Sequence, residues 1–224
     1  MENNYRFEKK FLIPYCYQNN IYEIISSNPF RFSECFQERT INNIYFDDLN
    51  LNSARDNIDG NPIRSKLRLR WYGEKYGKIK SVIEKKIKKG NIGRKYFYEI
   101  NDLLLSRESN KFSIQSEIEK KCKNLFIVNT LKCCKPTLLN SYKRRYFISI
   151  DKKVRITVDF DLENYKINDI SHFNIPFSNN KYKMIMELKY NNNFSTDISS
   201  ICQYFPFRTQ KYSKYINGFK EVNL

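Results

Sequence analysis

The chain of 224 residues contains one histidine, His172. A zinc site of the usual Cys/His kind is therefore excluded, as are a Ser-His-Asp triad and a Cys-His dyad built on any other histidine. His172 lies in the polar stretch NDISHFNIPFSNN and reads as a surface-loop residue. Glycine is scarce, at 6 residues, and no Gly-rich phosphate loop exists, because GNIG at 90–93 lacks the following Lys-Ser/Thr. Any phosphate chemistry must then rest on side chains. No apolar run approaches the roughly 18 residues of a membrane-spanning helix. The N-terminal MENNYRFEKKF is charged from the start and has no apolar signal-peptide core. The six cysteines (Cys16, Cys35, Cys122, Cys133, Cys134 and Cys202) form no CxxC pair. They read as buried, reduced thiols of a cytoplasmic protein. Internal repeats, low-complexity linkers and domain boundaries are also absent, so one domain over residues 1–224 is expected.

Acidic residues are in deficit. Lys and Arg number 40 against 24 Asp and Glu, a formal charge of +16. A surplus of that size implies anionic partners: nucleic acid, phosphate chains or acidic lipid. Aromatic residues reach 16% and hydrophobic residues 41%, which excludes wholesale disorder.

Period-2 alternation dominates the chain and predicts strands over Tyr5–Ile13, Thr40–Phe46, Ile63–Tyr72, Ile79–Lys88, Arg94–Glu99, Leu138–Ile150, Val154–Asp161 and Lys183–Tyr190. Helices are expected between them. Asn20 can cap one that runs through Ser27, with Glu23 at the capping-box position. Ser113 opens an amphipathic stretch to about Leu131. Ser195 or Thr196 can cap a short helix to Tyr204, and Thr209 starts a last one that Gly218 ends. The fold class is α+β, with about eight antiparallel strands and helices packed outside.

What alternates with the apolar residues carries the functional signal. Arg6, Glu8 and Lys10 share one strand face. Arg64, Lys66, Arg68 and Arg70 share another, opposite Leu67, Leu69 and Trp71. Glu84, Lys86 and Lys88 alternate with Ile83 and Ile87, Arg155, Thr157 and Asp159 with Ile156 and Val158, and Lys183, Glu187 and Lys189 with Met184, Met186 and Leu188. A single such strand reads as the wet face of a sheet. Five or more together would repel one another on a flat sheet. Closing the strands into a barrel removes the edges and lets a threaded polyanion neutralise the interior.

The segments YRFEKKFLI, NIYFDD, KLRLRWYG, VIEKK, YKRRYF, VRITVDFDL, MELKY and KYSKYINGF, in this order, resemble the VTC (vacuolar transporter chaperone) polyphosphate polymerase domain of the triphosphate tunnel metalloenzyme, or CYTH-like, superfamily. The resemblance spans about Tyr5 to Phe219. It implies an eight-stranded antiparallel β-barrel, a tunnel with a charged lumen and helices outside. It also implies transfer of the terminal phosphate of ATP to a growing polyphosphate, with a divalent metal, manganese or magnesium. Carried over by motif, the basic catalytic positions fall on Lys10, Arg68, Arg70, Lys86, Arg144, Arg155, Lys189 and Lys214. Arg6 and Ser213 are placed near substrate, and either Arg94 or Lys95 fills one further basic position. The metal ligands implied are Glu187 and Glu8.

Two departures qualify the resemblance. Eukaryotic members carry a phosphate-sensing helical domain before this one and membrane helices after it. These 224 residues show neither, which leaves regulation, export and a membrane-protein partner open. The hydrolase branch presents Glu-x-Glu-x-Lys on the first strand, where this chain has Arg6-x-Glu8-x-Lys10. The alternatives are a triphosphate hydrolase on the same fold and a non-catalytic polyphosphate-binding subunit. The expected partners are ATP and polyphosphate. Duplex nucleic acid is not expected, because the aromatics next to the basic strand faces fall mostly on the opposite side.

Overall fold

The computed structural model describes residues 6–90, 92–168, 178–179, 183–191 and 197–223. Its strands are β1 (Arg6–Pro14), β2 (Ser33–Asp47), β3 (Ile63–Tyr72), β4 (Gly77–Lys89), β5 (Ile92–Leu105), β6 (Lys135–Ile148), β7 (Arg155–Lys166), β8 (Ser178–Asn179) and β9 (Lys183–Asn191). The helices are α1 (Ile21–Ser26), α2 (Asn52–Asp59), α3 (Lys111–Lys121), α4 (Leu125–Lys132), α5 (Asp197–Gln203) and α6 (Lys214–Asn223). The strands hydrogen-bond in the order β1-β9-β7-β6-β2-β3-β4-β5, and the two-residue β8 lies on β7. Eight long antiparallel strands in one sheet with helices is the α+β class expected. The hydrogen-bonded path ends on β1 and β5, and no pairing joins those two among the described residues.

The chain divides into two compact units. One comprises Met1–Arg39, Tyr142–Leu162 and Asn180–Tyr212; the other comprises Thr40–Ser141, Glu163–Asn179 and Ser213–Leu224. Strands β2, β6 and β7 each contribute part of their length to both. In the first unit, the apolar sides of β1, β7 and β9 (Phe11, Ile13, Ile156, Val158, Met184, Met186, Leu188) pack with Ile21 and Ile25 of α1 and Ile198 and Ile201 of α5. In the second, Leu67, Leu69, Trp71, Ile83 and Ile100 pack with Ile114 and Ile118 of α3 and Ile127 and Leu131 of α4. A smaller cluster joins Tyr45, Ala54 and Leu138 to Tyr215, Ile216 and Val222 of α6. The alternation that predicts strands is therefore what leaves one side of each for charge.

Several local expectations are corrected. The stretch from Ser113 to Leu131 is two helices. Cys122 leaves helical geometry (φ −83°, ψ 114°), and the Asn124 side chain accepts from the Ile127 amide at 3.1 Å to start α4. Asn110 caps α3, with Ser113 completing the capping box three residues on. At α1, Asn20 stands at the cap position but its side chain makes no capping bond. The last helix starts at Lys214, not Thr209, and Gly218 lies in its interior. Helix α2 was not anticipated, because NSARDNID is almost wholly polar. No cysteine is buried: Cys16 and Cys133 are exposed, and the other four are half-buried free thiols. His172, Ser195 and Thr196 lie outside the described residues.

Candidate functional site

In the second unit, the register of β3, β4 and β5 builds one charged face. Lys66 stands opposite Lys86, and Lys86 opposite Lys95. Arg68 stands opposite Glu84, and Glu84 opposite Phe97. Residues directly opposite in an antiparallel pair point to the same side. Lys95 therefore shares the face of Lys86, whereas Arg94 pairs with Ile87 and points away. The register thus separates the two residues that sequence left ambiguous.

Glu84 organises this face. Its Oε2 accepts from Arg68 Nε at 2.9 Å and from Arg68 Nη2, while its Oε1 lies 3.1 Å from Arg70 Nη1. Burial alone would push its carboxyl up, but Arg68, Arg70 and then Lys95 outweigh that and hold it below the ordinary glutamate range. Arg70 is oriented a second time, donating from Nε to Asn43 Oδ1 at 3.0 Å. Asn43 is fully buried on β2. Both forks are thus fixed at their Nε edges, which pre-organises them for oxygen ligands.

The same unit places Ser213 and Lys214 beside this strand set. The Ser213 carbonyl accepts from the Asn217 amide and its Oγ from the Ile216 amide, so Ser213 caps α6 and Lys214 is the first helical residue. Lys66 Nζ donates to Ser213 Oγ at 3.0 Å. Asp47 locks the far side of this helix start. Its two oxygens accept from the amides of Asp48, Ser53 and Ala54 and from the Tyr215 hydroxyl at 2.7 Å. The FDD segment thereby caps α2 and anchors α6 through one carboxylate.

The first unit carries its own charged face, on β1, β9 and β7. Lys10 stands opposite Glu187, and Glu187 opposite Thr157; Glu8 stands opposite Lys189, and Lys189 opposite Arg155. Glu187 is nearly buried and bridges two lysines, with Lys10 Nζ 3.3 Å from Oε1 and Lys189 Nζ 3.0 Å from Oε2. Lys10 also lies 3.1 Å from Glu8 and donates to the Tyr212 carbonyl at 3.0 Å. Arg144 on β6 is buried and grips Asp159 in a two-point contact, Nη2 to Oδ2 at 2.7 Å. Burial opposes its charge, but Asp159 and Glu187 keep it firmly protonated. The hydroxyl of Thr157, also buried, makes no hydrogen bond among the described residues.

The sequence-derived residues therefore fall into two sets. Lys10, Glu8, Arg144, Arg155, Glu187 and Lys189 belong to the first unit. Arg68, Arg70, Lys86, Lys95, Ser213 and Lys214 belong to the second, with Arg94 on the reverse side of β5. The Arg6 side chain lies outside the described residues. Sequence reading missed Glu84, Asp159 and Asn43 as the partners that orient arginines, and Lys66 as the partner of Ser213. Lys66, Glu84 and Asp159 had a visible signal, each being in phase with the charged residues of its strand face, whereas Asn43 had none. No group of three or more Asp, Glu, His or Cys that could hold a metal occurs among the described residues.

The sequence matches the VTC domain family over residues 5–223. The chain belongs to the VTC domain family. No curated protein matches it in sequence. Among solved structures, the PH1819 protein of Pyrococcus horikoshii OT3 shares 13% identity at a TM-score of 0.54, covering 97% of this chain and 99% of that one. A candidate adenylate cyclase from Vibrio parahaemolyticus shares 13% identity at a TM-score of 0.51, covering 96% and 99%. At that identity the likeness is one of fold, and it runs along nearly the whole VTC domain.

Proposed function

We propose that this VTC domain is a polyphosphate polymerase. It transfers the terminal phosphate of ATP to the end of a growing polyphosphate, inside a basic tunnel. The observation that carries the reading is the balance on each face. Cations recur at every second residue, and the carboxylates among them, half-buried Glu84 and buried Glu187, are each shared by two cations. Such faces are organised internally yet keep a positive excess for oxyanions.

The reaction needs positioning and charge stabilisation more than a protein nucleophile. A terminal oxygen of the chain attacks the γ-phosphorus, the bond to the β–γ bridging oxygen breaks, and ADP leaves. Arg68 and Arg70 grip phosphate oxygens in two-point contacts, and Lys10, Lys66, Lys86, Lys95, Lys189 and Lys214 supply point charges. A tunnel excludes water from the γ-phosphate and so favours the chain as acceptor. Glu187 and Glu8, both within ion-pair distance of Lys10, are the carboxylates that would hold a divalent cation. Bound there, manganese or magnesium would offset charge on the phosphates.

Purified protein incubated with ATP and manganese, resolved on a polyphosphate gel, tests the reading. A ladder of polymer is expected. Orthophosphate without polymer would identify a hydrolase. Polyphosphate binding with no turnover would identify a non-catalytic binding subunit.

A further inference from the structure

The charged face of the second unit contains one feature that phosphate binding does not use. Phe97 on β5 stands directly opposite Glu84, on the side that carries Arg68, Lys86 and Lys95, and the residue is 58% exposed. Its neighbours Tyr96 and Tyr98 alternate to the reverse side, where Tyr98 packs on the core. Phe97 makes no ring or cation contact among the described residues. Val82 faces the same way, opposite Glu99 on β5 and Arg70 on β3, and is half-buried. Val82 and Phe97 are therefore diagonal neighbours, within reach for an aromatic side chain. They form a small apolar platform inside a ring of cations.

We propose that Phe97, with Val82 beside it, is the stacking platform for the base of the nucleotide. The inference rests on the polymerase reading and says where the donor's base sits. An exposed phenyl ring on an otherwise polar face suits a flat heterocycle, and Arg68 and Arg70 lie on the side from which the phosphates would be held. Arg68 and Phe97 are two strand spacings apart, about 9.5 Å, a separation that a nucleoside triphosphate can bridge. Stacking uses the π-face that every base has, so the platform accepts adenine and guanine alike.

Calorimetric binding of ATP, GTP and tripolyphosphate to wild type, Phe97→Ala, Phe97→Leu and Phe97→Trp tests this without relying on turnover. Base stacking lost to alanine weakens binding by about 5- to 150-fold. The alanine and leucine variants should lose that for ATP and GTP while binding tripolyphosphate as wild type does. The tryptophan variant should hold ATP at least as tightly as phenylalanine. Phe97 is exposed, so its substitutions should leave the fold intact, and unchanged melting temperatures check that. If wild type binds ATP and the alanine variant loses none of it, or loses tripolyphosphate equally, the platform is refuted and the polymerase reading stands. Wild type that binds tripolyphosphate but not ATP also refutes the platform. If wild type binds neither, the polymerase reading fails and takes this inference with it.

Discussion

Glu84 holds two guanidinium groups with one carboxylate, so its removal leaves like charges close together without the carboxylate they share. Glu84→Ala should cost roughly 2–3 kcal/mol in denaturant unfolding. The pH dependence follows from the direction of its pKa. A carboxyl held below its unfolded value, about 4.3, stabilises fully above that pH and loses the contribution as pH falls through the folded value. Wild type and Glu84→Ala should therefore differ most at neutral pH and converge in acid; a difference constant down to acid pH would contradict the ion-pair account. Arg70→Ala should nearly abolish polymer synthesis. It should also lower stability by about 1–3 kcal/mol, because the buried Asn43 Oδ1 loses its donor. Normal synthesis in that variant would remove Arg70 from the site. The cations themselves were legible in the sequence, because period 2 places them on one face. Their partners were not. That Arg68 meets Glu84 depends on the register of the β3–β4 hairpin, and that Arg144 meets Asp159 on that of β6 and β7, neither of which a single strand pattern specifies.

Helix α6 shows how an element can break a local rule for a packing reason. Gly218 reads as a stop signal, yet it lies inside the helix on the side facing β6 and β7. A Cβ there would run into Asn164 Oδ1, and would stand 2.8 Å from Asn164 Cγ and 2.9 Å from Leu138 Cδ2. Asn164 cannot step aside easily, because it accepts from Asn140 Nδ2 at 2.8 Å and donates to Glu221 at 2.7 Å. Gly218→Ala should therefore destabilise by about 1–3 kcal/mol, despite the near 1 kcal/mol that alanine gains in helix propensity. A rise in melting temperature would show that the contact relaxes. Strands were the most legible elements, and β3 matches its expected bounds, Ile63–Tyr72, at both ends. The first half of β2 was missed because SECFQER carries few apolar residues and is largely exposed. The break between α3 and α4 was missed because the apolar period runs on through Cys122, while the Asn124 side chain starts a new helix.

Over the whole molecule, the charge of +16 is the property that most needs a partner. Cations gathered on strand faces suit one narrow polyanion, where a DNA groove would demand a protruding element. Ligand that binds only the folded state raises its stability by mass action. Tripolyphosphate and longer chains should thus raise the melting temperature by many degrees. Duplex DNA at equal phosphate concentration should do far less, and its effect should fade with salt. Equal protection by both at near-physiological salt would favour a nucleic-acid partner. The polymerase reading itself is tested most directly by tracing the phosphate. With manganese present, ATP labelled at the γ-position should pass label into polymer, and ATP labelled at the α-position should not. Label from the γ-position recovered only as orthophosphate, or left wholly on ATP, would contradict it.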